Sequence, residues 1–102
     1  MIYLANTFSP AMVADNCQSI TDSCPVEDIP PDAISIVSHE VTAKILSSLL
    51  GRRVDFNKSN VVLQSGDELY CVIPNFRASE DREFNKKEIE DAGFRCWYVR
   101  VL

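Results

Sequence analysis

The sequence predicts a small α/β domain, α+β-like in character, in which a mixed β-sheet is flanked by two to three helices. The chain has 102 residues, which is room for one hydrophobic core and too little for two. Hydrophobic residues make up 46% and charged residues 25%, a balance typical of globular proteins. Short β-prone runs alternate with helix-like segments, which favours a mixed sheet over a helical bundle. We therefore expect one compact domain over residues 1–102.

The first third of the chain contains short elements. Ile2–Ala5 is β-prone and predicts the first strand. Ser9 offers a capping hydroxyl and Pro10 follows it, so a short helical turn is expected to begin there. A second strand is predicted near residues 19–21. Residues 33–37 alternate in polarity and predict either another short strand or a lead into a helix.

The clearest helix follows this segment. Five apolar residues recur at helical spacing and share one face of a 3.6-residue period. They are Val41, Ile45, Leu46, Leu49 and Leu50. Ser38 is expected to cap this helix and Gly51 to end it, which places His39 in its first turn.

The second half predicts further strands and one more helix. Residues 54–56 and 61–63 are short strand candidates, and residues 68–73 have the strongest strand composition, closed by Pro74. Residues 94–102 are rich in aromatic and β-branched side chains and predict a final strand.

The second helix is predicted from a capping box. Asn85 is followed three residues later by Glu88, the spacing at which the two side chains can cap each other's backbone N–H groups. Ile89 and Ala92 are expected to face inward, and Gly93 is expected to end the helix.

The four cysteines do not form a metal-binding motif. They lack CxxC spacing and the tight ligand pairs of zinc sites, so we expect no metal. Cys71 and Cys96 lie in apolar runs and are predicted to be buried. Cys17 and Cys24 flank a short segment and can be bridged, although free thiols are favoured in a cytosolic chain.

Charge and hydropathy exclude several classes of partner. The net charge is −5, which disfavours a protein that wraps long nucleic acid but leaves room for one small anionic ligand. No apolar run approaches the roughly 18 residues of a membrane span. The first residues lack the basic and apolar regions of a signal peptide. A cytoplasmic protein without a membrane partner is expected.

Three residues suggest acid–base and phosphate chemistry. His39, the one histidine in the chain, can exchange a proton near neutral pH. Arg77 and Glu80, three residues apart, can hold a phosphate and orient an attacking hydroxyl. Taken singly they have plainer interpretations, a surface or capping histidine and a solvated loop pair.

Four blocks in order along the chain carry a resemblance. They are residues 1–12, residues 36–42 with His39 leading into residues 49–51, residues 54–58 followed by residues 66–70, and residues 77–84 followed by Glu88-Ile89. In their order and spacing the chain resembles the viral ring nucleases, small anti-CRISPR proteins that act against type III systems. The resemblance covers nearly the whole chain.

This resemblance implies a mixed-sheet homodimer that binds cyclic tetra-adenylate and cuts it without a metal or other cofactor. It implies that His39, Arg77 and Glu80 are catalytic. It also implies that Asn6, Ser9 and Lys58 contact the ligand. The chain departs from relatives at Asp81, where glycine is common, and at Lys58, where arginine is more usual.

The residues suit attack by a ribose 2′-hydroxyl on its neighbouring phosphodiester. Arg77 would offset charge on the phosphoryl oxygens, and His39 would protonate the leaving 5′-oxygen. Glu80 would accept the hydroxyl proton or position Arg77 and the sugar. Two other interpretations stay open: a protein that sequesters or senses a cyclic oligonucleotide without cutting it, and a regulatory protein of this fold with no nucleotide partner.

Overall fold

The computed structural model describes residues 1–77 and 83–102, and within them five strands form a single mixed sheet. The strands are β1 (Ile2–Ala5), β2 (Ser19–Ser23), β3 (Ile34–Ser35), β4 (Glu68–Pro74) and β5 (Phe94–Val101). Two α-helices, α1 (Glu40–Leu50) and α2 (Lys86–Ala92), accompany the sheet, with short 3₁₀ turns at Pro10–Met12 and Val26–Asp28. This architecture confirms the predicted fold class.

The sheet has the order β2-β5-β4-β1-β3, with β1 between two parallel partners. β1 pairs with β3 through Tyr3 opposite Ile34, and with β4 through Ile2 opposite Glu68. β5 runs antiparallel to both β4 and β2. Since β3, β1 and β4 point the same way, the segments that leave them emerge at one end of the sheet. We call this end the carboxyl edge.

Both faces of the sheet are covered by apolar side chains. One face packs against α1 and α2, and its fully buried centre includes Val37, Leu46, Val72 and Ile89. The other face packs against the segments at residues 8–17 and 61–63. Its buried centre includes Leu63, Leu69 and Val99. The two layers hold the strands rigidly and leave their ends available for a site.

Helix α1 begins one residue later than predicted. Its N-cap is His39 rather than Ser38, with extended backbone angles of φ −120° and ψ 126°. Within the described chain the His39 side chain makes no capping hydrogen bond, so the imidazole does not cap the start of α1. The predicted end is confirmed, because Gly51 is left-handed at φ 67° and its N–H donates to the Ser47 carbonyl at 3.0 Å.

The prediction of a strand at residues 54–56 is wrong, because the backbone of this segment does not form a β-ladder. The Val54 N–H donates to the Ser47 hydroxyl of α1 at 2.8 Å instead of entering a ladder. Only Phe56 pairs as a single parallel bridge with Val37.

The predicted strand at residues 61–63 is also reduced to one bridge, between Leu63 and Val13. The Leu63 N–H donates to the Met12 carbonyl at 2.6 Å, and the Ala14 N–H donates back to Leu63 at 2.8 Å. The partner is a 3₁₀ turn and its exit, which is too short for a ladder.

The capping box of α2 is confirmed, and one of its core predictions is wrong. The Glu88 N–H donates to Asn85 Oδ1 at 2.9 Å, and the Asn85 N–H donates to Glu88 Oε1 at 3.4 Å. Ile89 is fully buried, but Ala92 is exposed. A helix of seven residues turns only one narrow stripe toward the sheet, and Ala92 lies at its end.

The glycine after α2 is required by its backbone, because Gly93 has φ +90°, a conformation that L side chains rarely adopt. An added Cβ would also lie 2.7 Å from Asn75 Nδ2, the end of a side chain that would have to move aside. We expect Gly93→Ala to lower the free energy of unfolding by roughly 1–3 kcal/mol, measured by urea denaturation. Gly51→Ala is the matched control, because Gly51 has φ +67° with no atom within 4 Å of its added Cβ. Equal losses for both variants would contradict the role of the Asn75 contact.

Candidate functional site

The segment that leaves β1 brings two polar side chains to the carboxyl edge. Asn6 follows the last β1 residue directly and is half-buried. The Ser9 hydroxyl accepts a hydrogen bond from the Ala11 N–H at 3.3 Å, with Pro10 in the first position of the turn. The predicted capping role of Ser9 is therefore confirmed, and its side chain is exposed in the segment that leaves β1.

The segment that leaves β3 runs directly into α1 and carries His39. The Ile36 N–H donates to the Leu4 carbonyl at 2.8 Å, which keeps this segment against β1. His39 follows within three residues and is exposed at the start of the helix. The first turn of α1 offers unpaired backbone N–H groups and the positive end of its dipole, both of which favour an anion.

The segment that leaves β4 carries Arg77. The Asn75 N–H donates to the Gly93 carbonyl at 2.9 Å, and the Phe76 ring packs on Phe84 with centroids 4.7 Å apart. Arg77 therefore follows two anchored residues and is itself exposed. Glu80, the third predicted catalytic residue, lies outside the described residues, as does Asp81.

Lys58 is held next to the segment that leaves β3. The Asn57 N–H donates to the Val37 carbonyl at 2.8 Å, which fixes the residue immediately before Lys58. The Lys58 ammonium lies 5.7 Å from the centroid of the Phe56 ring, a cation–π distance. The lysine is exposed, and its chain neighbour Asn57 is bonded to the segment that leads into His39.

The topology thus collects the described predicted residues at one end of the sheet. Asn6 and Ser9 follow β1, the middle one of the three parallel strands. His39 follows β3 on one side of it, and Arg77 follows β4 on the other. Open sheets with parallel strands bind ligands in crevices outside the carboxyl ends of those strands. This convergence makes the carboxyl edge the candidate site.

The site has positive charge that is available to a ligand. Among residues 1–77 and 83–102, neither Lys58 nor Arg77 forms an ion pair, whereas Arg53 binds Asp55 at 2.9 Å. Glu40 in the first turn of α1 is the nearest carboxylate in sequence to His39. The arrangement can attract a phosphate, orient a polar sugar and offer an imidazole for proton transfer.

A polar cluster toward the opposite end of the sheet was not predicted from the sequence. Tyr98 donates a hydrogen bond to the Glu68 carboxylate, and its ring lies 5.1 Å from that of Tyr70. This bond, together with partial burial and the Glu68 charge, raises the pKa of Tyr98 to about 12. Only the pairing of β4 with β5 brings these residues together, so no local sequence signal marks the cluster.

The raised pKa of Tyr98 makes the free energy of unfolding depend on pH in the alkaline range. Between about pH 10 and pH 12 the unfolded chain loses the phenolic proton while the folded chain retains it. Folding stability therefore falls as pH rises through this window. We expect Tyr98→Phe to reduce that slope, measured by thermal denaturation at several pH values. Tyr3→Phe is the control, and an identical slope in Tyr98→Phe and wild type would contradict the assignment.

Comparison with known proteins identifies the family of this chain. The model of the STIV B116-like family matches residues 2–96. The chain belongs to the STIV B116-like family. Protein ORF116 of Acidianus filamentous virus 1 is 27% identical over 110 residues, covering 97% of this chain and 94% of that protein. Protein 26 of Sulfolobus islandicus filamentous virus is 31% identical over 70 residues, covering 68% of this chain and 59% of that protein.

The fold of this B116-like chain is also found in a solved structure. B116 of Sulfolobus turreted icosahedral virus superposes with a TM-score of 0.84 at 22% identity, covering 97% of each chain. At this identity the likeness shows the fold alone. The relatives are viral proteins, which agrees with the viral family predicted from the sequence blocks, whereas nuclease activity stays a prediction.

Two further features concern the described residues. No helix in that part of the B116-like chain is long and apolar enough to cross a membrane. Over residues 1–77 and 83–102, no three His, Cys, Asp or Glu side chains lie close enough to hold a metal ion.

Proposed function

We propose that this B116-like protein is a metal-independent ring nuclease that opens cyclic tetra-adenylate to linear oligoadenylates. Removal of this second messenger in the host cytoplasm would prevent activation of type III CRISPR effectors. One observation carries the proposal: the parallel strands β3, β1 and β4 deliver His39, Asn6 with Ser9, and Arg77 to one edge of the sheet. These are residues that the ring-nuclease resemblance requires.

The charge at the carboxyl edge suits a compact anionic ring. Lys58 and Arg77 make no ion pair within the described chain, so their charges are available to phosphates. The start of α1 adds backbone N–H groups of the kind that bind phosphate. A four-phosphate ring needs only such a focused positive site, which is compatible with the net charge of −5.

In the proposed reaction the ribose 2′-oxygen attacks the adjacent phosphorus atom. The new P–O2′ bond forms as the P–O5′ bond breaks, which opens the ring and leaves a 2′,3′-cyclic phosphate. Arg77 offsets the charge on the non-bridging oxygens, and His39 donates a proton to the departing 5′-oxygen. Glu80 accepts the 2′-hydroxyl proton.

The position of His39 sets a requirement for this step. To donate a proton, the imidazole has to lie within hydrogen-bond reach of the departing 5′-oxygen. Because His39 is exposed and makes no capping hydrogen bond within the described chain, its ring is available to the ligand.

A homodimer is part of the proposal. Cyclic tetra-adenylate has equivalent phosphates on opposite sides, and a two-fold dimer would present a copy of the site to each. Light scattering on the complex with the ring is expected to give twice the chain mass. A monomer with bound ring would contradict the shared site.

The deciding experiment incubates the purified protein with cyclic tri-, tetra- and hexa-adenylate in the presence of EDTA. We expect conversion of the tetramer ring to linear products, read by chromatography and mass spectrometry. A ring that stays intact but co-elutes with the protein would instead indicate a binding protein. Activity lost with chelator and restored by a divalent cation would contradict the metal-independent mechanism.

A further inference from the structure

Two cysteines outside the candidate site face each other across neighbouring strands. The register of β2 with β5 pairs Ser23 with Trp97, and the next positions outward are Cys24 and Cys96. The Cys24 N–H donates to the Cys96 carbonyl at 3.0 Å, which continues the antiparallel ladder by one step. The Sγ atoms are 3.3 Å apart in a thiol–thiol hydrogen bond.

This placement suits a disulfide without rearrangement of the backbone. Residues directly opposite each other on antiparallel strands have Cα atoms about 4.5–5.5 Å apart. Disulfides need a Cα separation of about 4.4–6.8 Å, with the sulfurs bonded at about 2.05 Å. Both cysteines are thiols in the structure, and a small rotation of the side chains brings the sulfurs to bonding distance.

The two thiols differ in their exposure to solvent, and this difference determines which of them reacts first. A cavity of about 600 Å³ beside the end of β2 is lined by Cys24, Val26, Phe94, Cys96 and Trp97, among others. Cys24 is half-buried, whereas Cys96 is 9% exposed within the core cluster. A small reagent in the cavity therefore meets Cys24 first.

The other two cysteines do not share this geometry. Cys17 packs on the opposite face of the sheet, in the cluster around Leu63 and Leu69, so the bridge between Cys17 and Cys24 considered from the sequence is disfavoured. Cys71 is fully buried and does not line the cavity, so a small reagent there does not reach its thiol. The pair is therefore specific to Cys24 and Cys96.

We propose that Cys24 and Cys96 form a reversible redox site that low-molecular-weight disulfides oxidise. The Cys24 thiolate attacks the reagent RSSR, forming a Cys24–SR mixed disulfide and releasing one RSH after protonation. Burial raises the pKa of Cys96. The Cys96 thiol therefore gives up its proton to the departing RS⁻ as its sulfur attacks the Cys24 sulfur, which expels the second RSH and closes the Cys24–Cys96 bond. In total, two protein thiols and RSSR give one protein disulfide and two RSH.

Oxidation at this site would fasten β2 to the sheet. β2 is an edge strand whose five residues are all exposed, and among the described residues it pairs with β5 alone. The bond would join residues 72 positions apart, so the unfolded chain would lose much of its freedom. The protein would then switch between a reduced form with a weakly held edge and an oxidised form with a fixed one.

The test treats the purified full-length protein with excess oxidised glutathione, then blocks residual thiols and maps peptides by mass spectrometry. We expect a monomer lighter by two hydrogens, with Cys24 linked to Cys96 and with Cys17 and Cys71 alkylated after denaturation. We further expect the oxidised protein to melt about 10–30 °C above the reduced protein. Reduction with dithiothreitol should restore the lower value.

Two variants keep the test decisive. Cys17→Ser should oxidise and gain thermal stability as wild type does, since it leaves the pair intact. Cys24→Ser should show no rise in melting temperature on oxidation, and Cys96→Ser should behave in the same way. Three outcomes would each overturn the proposal. They are a disulfide that involves Cys17, a disulfide formed only between two protein molecules, and a persistent glutathione adduct on Cys24 that does not go on to the Cys24–Cys96 bond.

Discussion

Replacement of His39 by alanine is expected to slow ring cleavage by about 10²–10⁴-fold, the usual contribution of a positioned general acid. Affinity for cyclic tetra-adenylate should change little, because the phosphates are held by cations and backbone N–H groups rather than by the imidazole. The fold should also persist, since His39 is exposed and makes no capping hydrogen bond within the described chain. Single-turnover cleavage and equilibrium binding measure the two effects separately.

The matched control for this variant is Ser38→Ala, one residue earlier on the same segment. Ser38 is half-buried and does not cap α1, so its loss should leave cleavage near the wild-type rate. If His39→Ala cleaves as fast as Ser38→Ala, His39 is not the acid, and the proposed mechanism fails.

The second large effect is expected at Arg77, where alanine should weaken ring affinity by about 10–150-fold. This range corresponds to the roughly 1.5–3 kcal/mol of a hydrogen-bonded contact to a charged group. Cleavage should fall as well, because the same guanidinium offsets charge in the transition state. Calorimetric titration of cyclic tetra-adenylate gives the affinity, and Arg77→Lys should recover part of it by keeping the charge without the two-pronged geometry.

Arg100→Ala controls for the loss of one positive charge. Arg100 is exposed, and its register opposite Glu68 places it at the end of the sheet away from the carboxyl edge. Its removal should leave affinity unchanged at moderate salt. Equal losses for Arg77→Ala and Arg100→Ala would mean that the ring responds to net charge alone, and the assigned site would be wrong.

The two variants also separate the leading function from its alternative. An enzyme predicts that His39→Ala binds and does not cut, while Arg77→Ala does both poorly. A protein that only sequesters the ring predicts that His39→Ala is indistinguishable from wild type in every assay.

Elements encoded by neighbouring residues were predicted well from the sequence. Ser9 with Pro10, Asn85 with Glu88, and Gly51 all form the caps expected of them, because each cap is an interaction within four residues. The apolar stripe of α1 is likewise local, and its core members are buried. Such short-range chemistry needs no knowledge of the rest of the chain.

Features that depend on distant pairing were not predictable. Residues 54–56 and 61–63 have strand-like composition, yet each makes one bridge because its neighbours are a helix side chain or a 3₁₀ turn. The approach of Cys24 to Cys96 depends on the register of β2 with β5, which has no local signal.

The candidate site combines both kinds of information. The resemblance named His39, Arg77 and the polar residues after β1, but only the sheet order brings the segments that carry them to one edge. Had β1 paired with β5 instead of lying between β3 and β4, the same residues would be separated. The site is therefore a product of topology as much as of residue type.

The position of β1 between two parallel partners also constrains how the protein folds. Its two ladder partners are β3 and β4, which begin more than 30 and more than 60 residues later in the chain. Such pairings close long loops before any stabilising contact forms, so folding is expected to be slow for a chain of this size. During synthesis β1 emerges before β3 and β4, and the carboxyl edge is assembled only after β4 has been made.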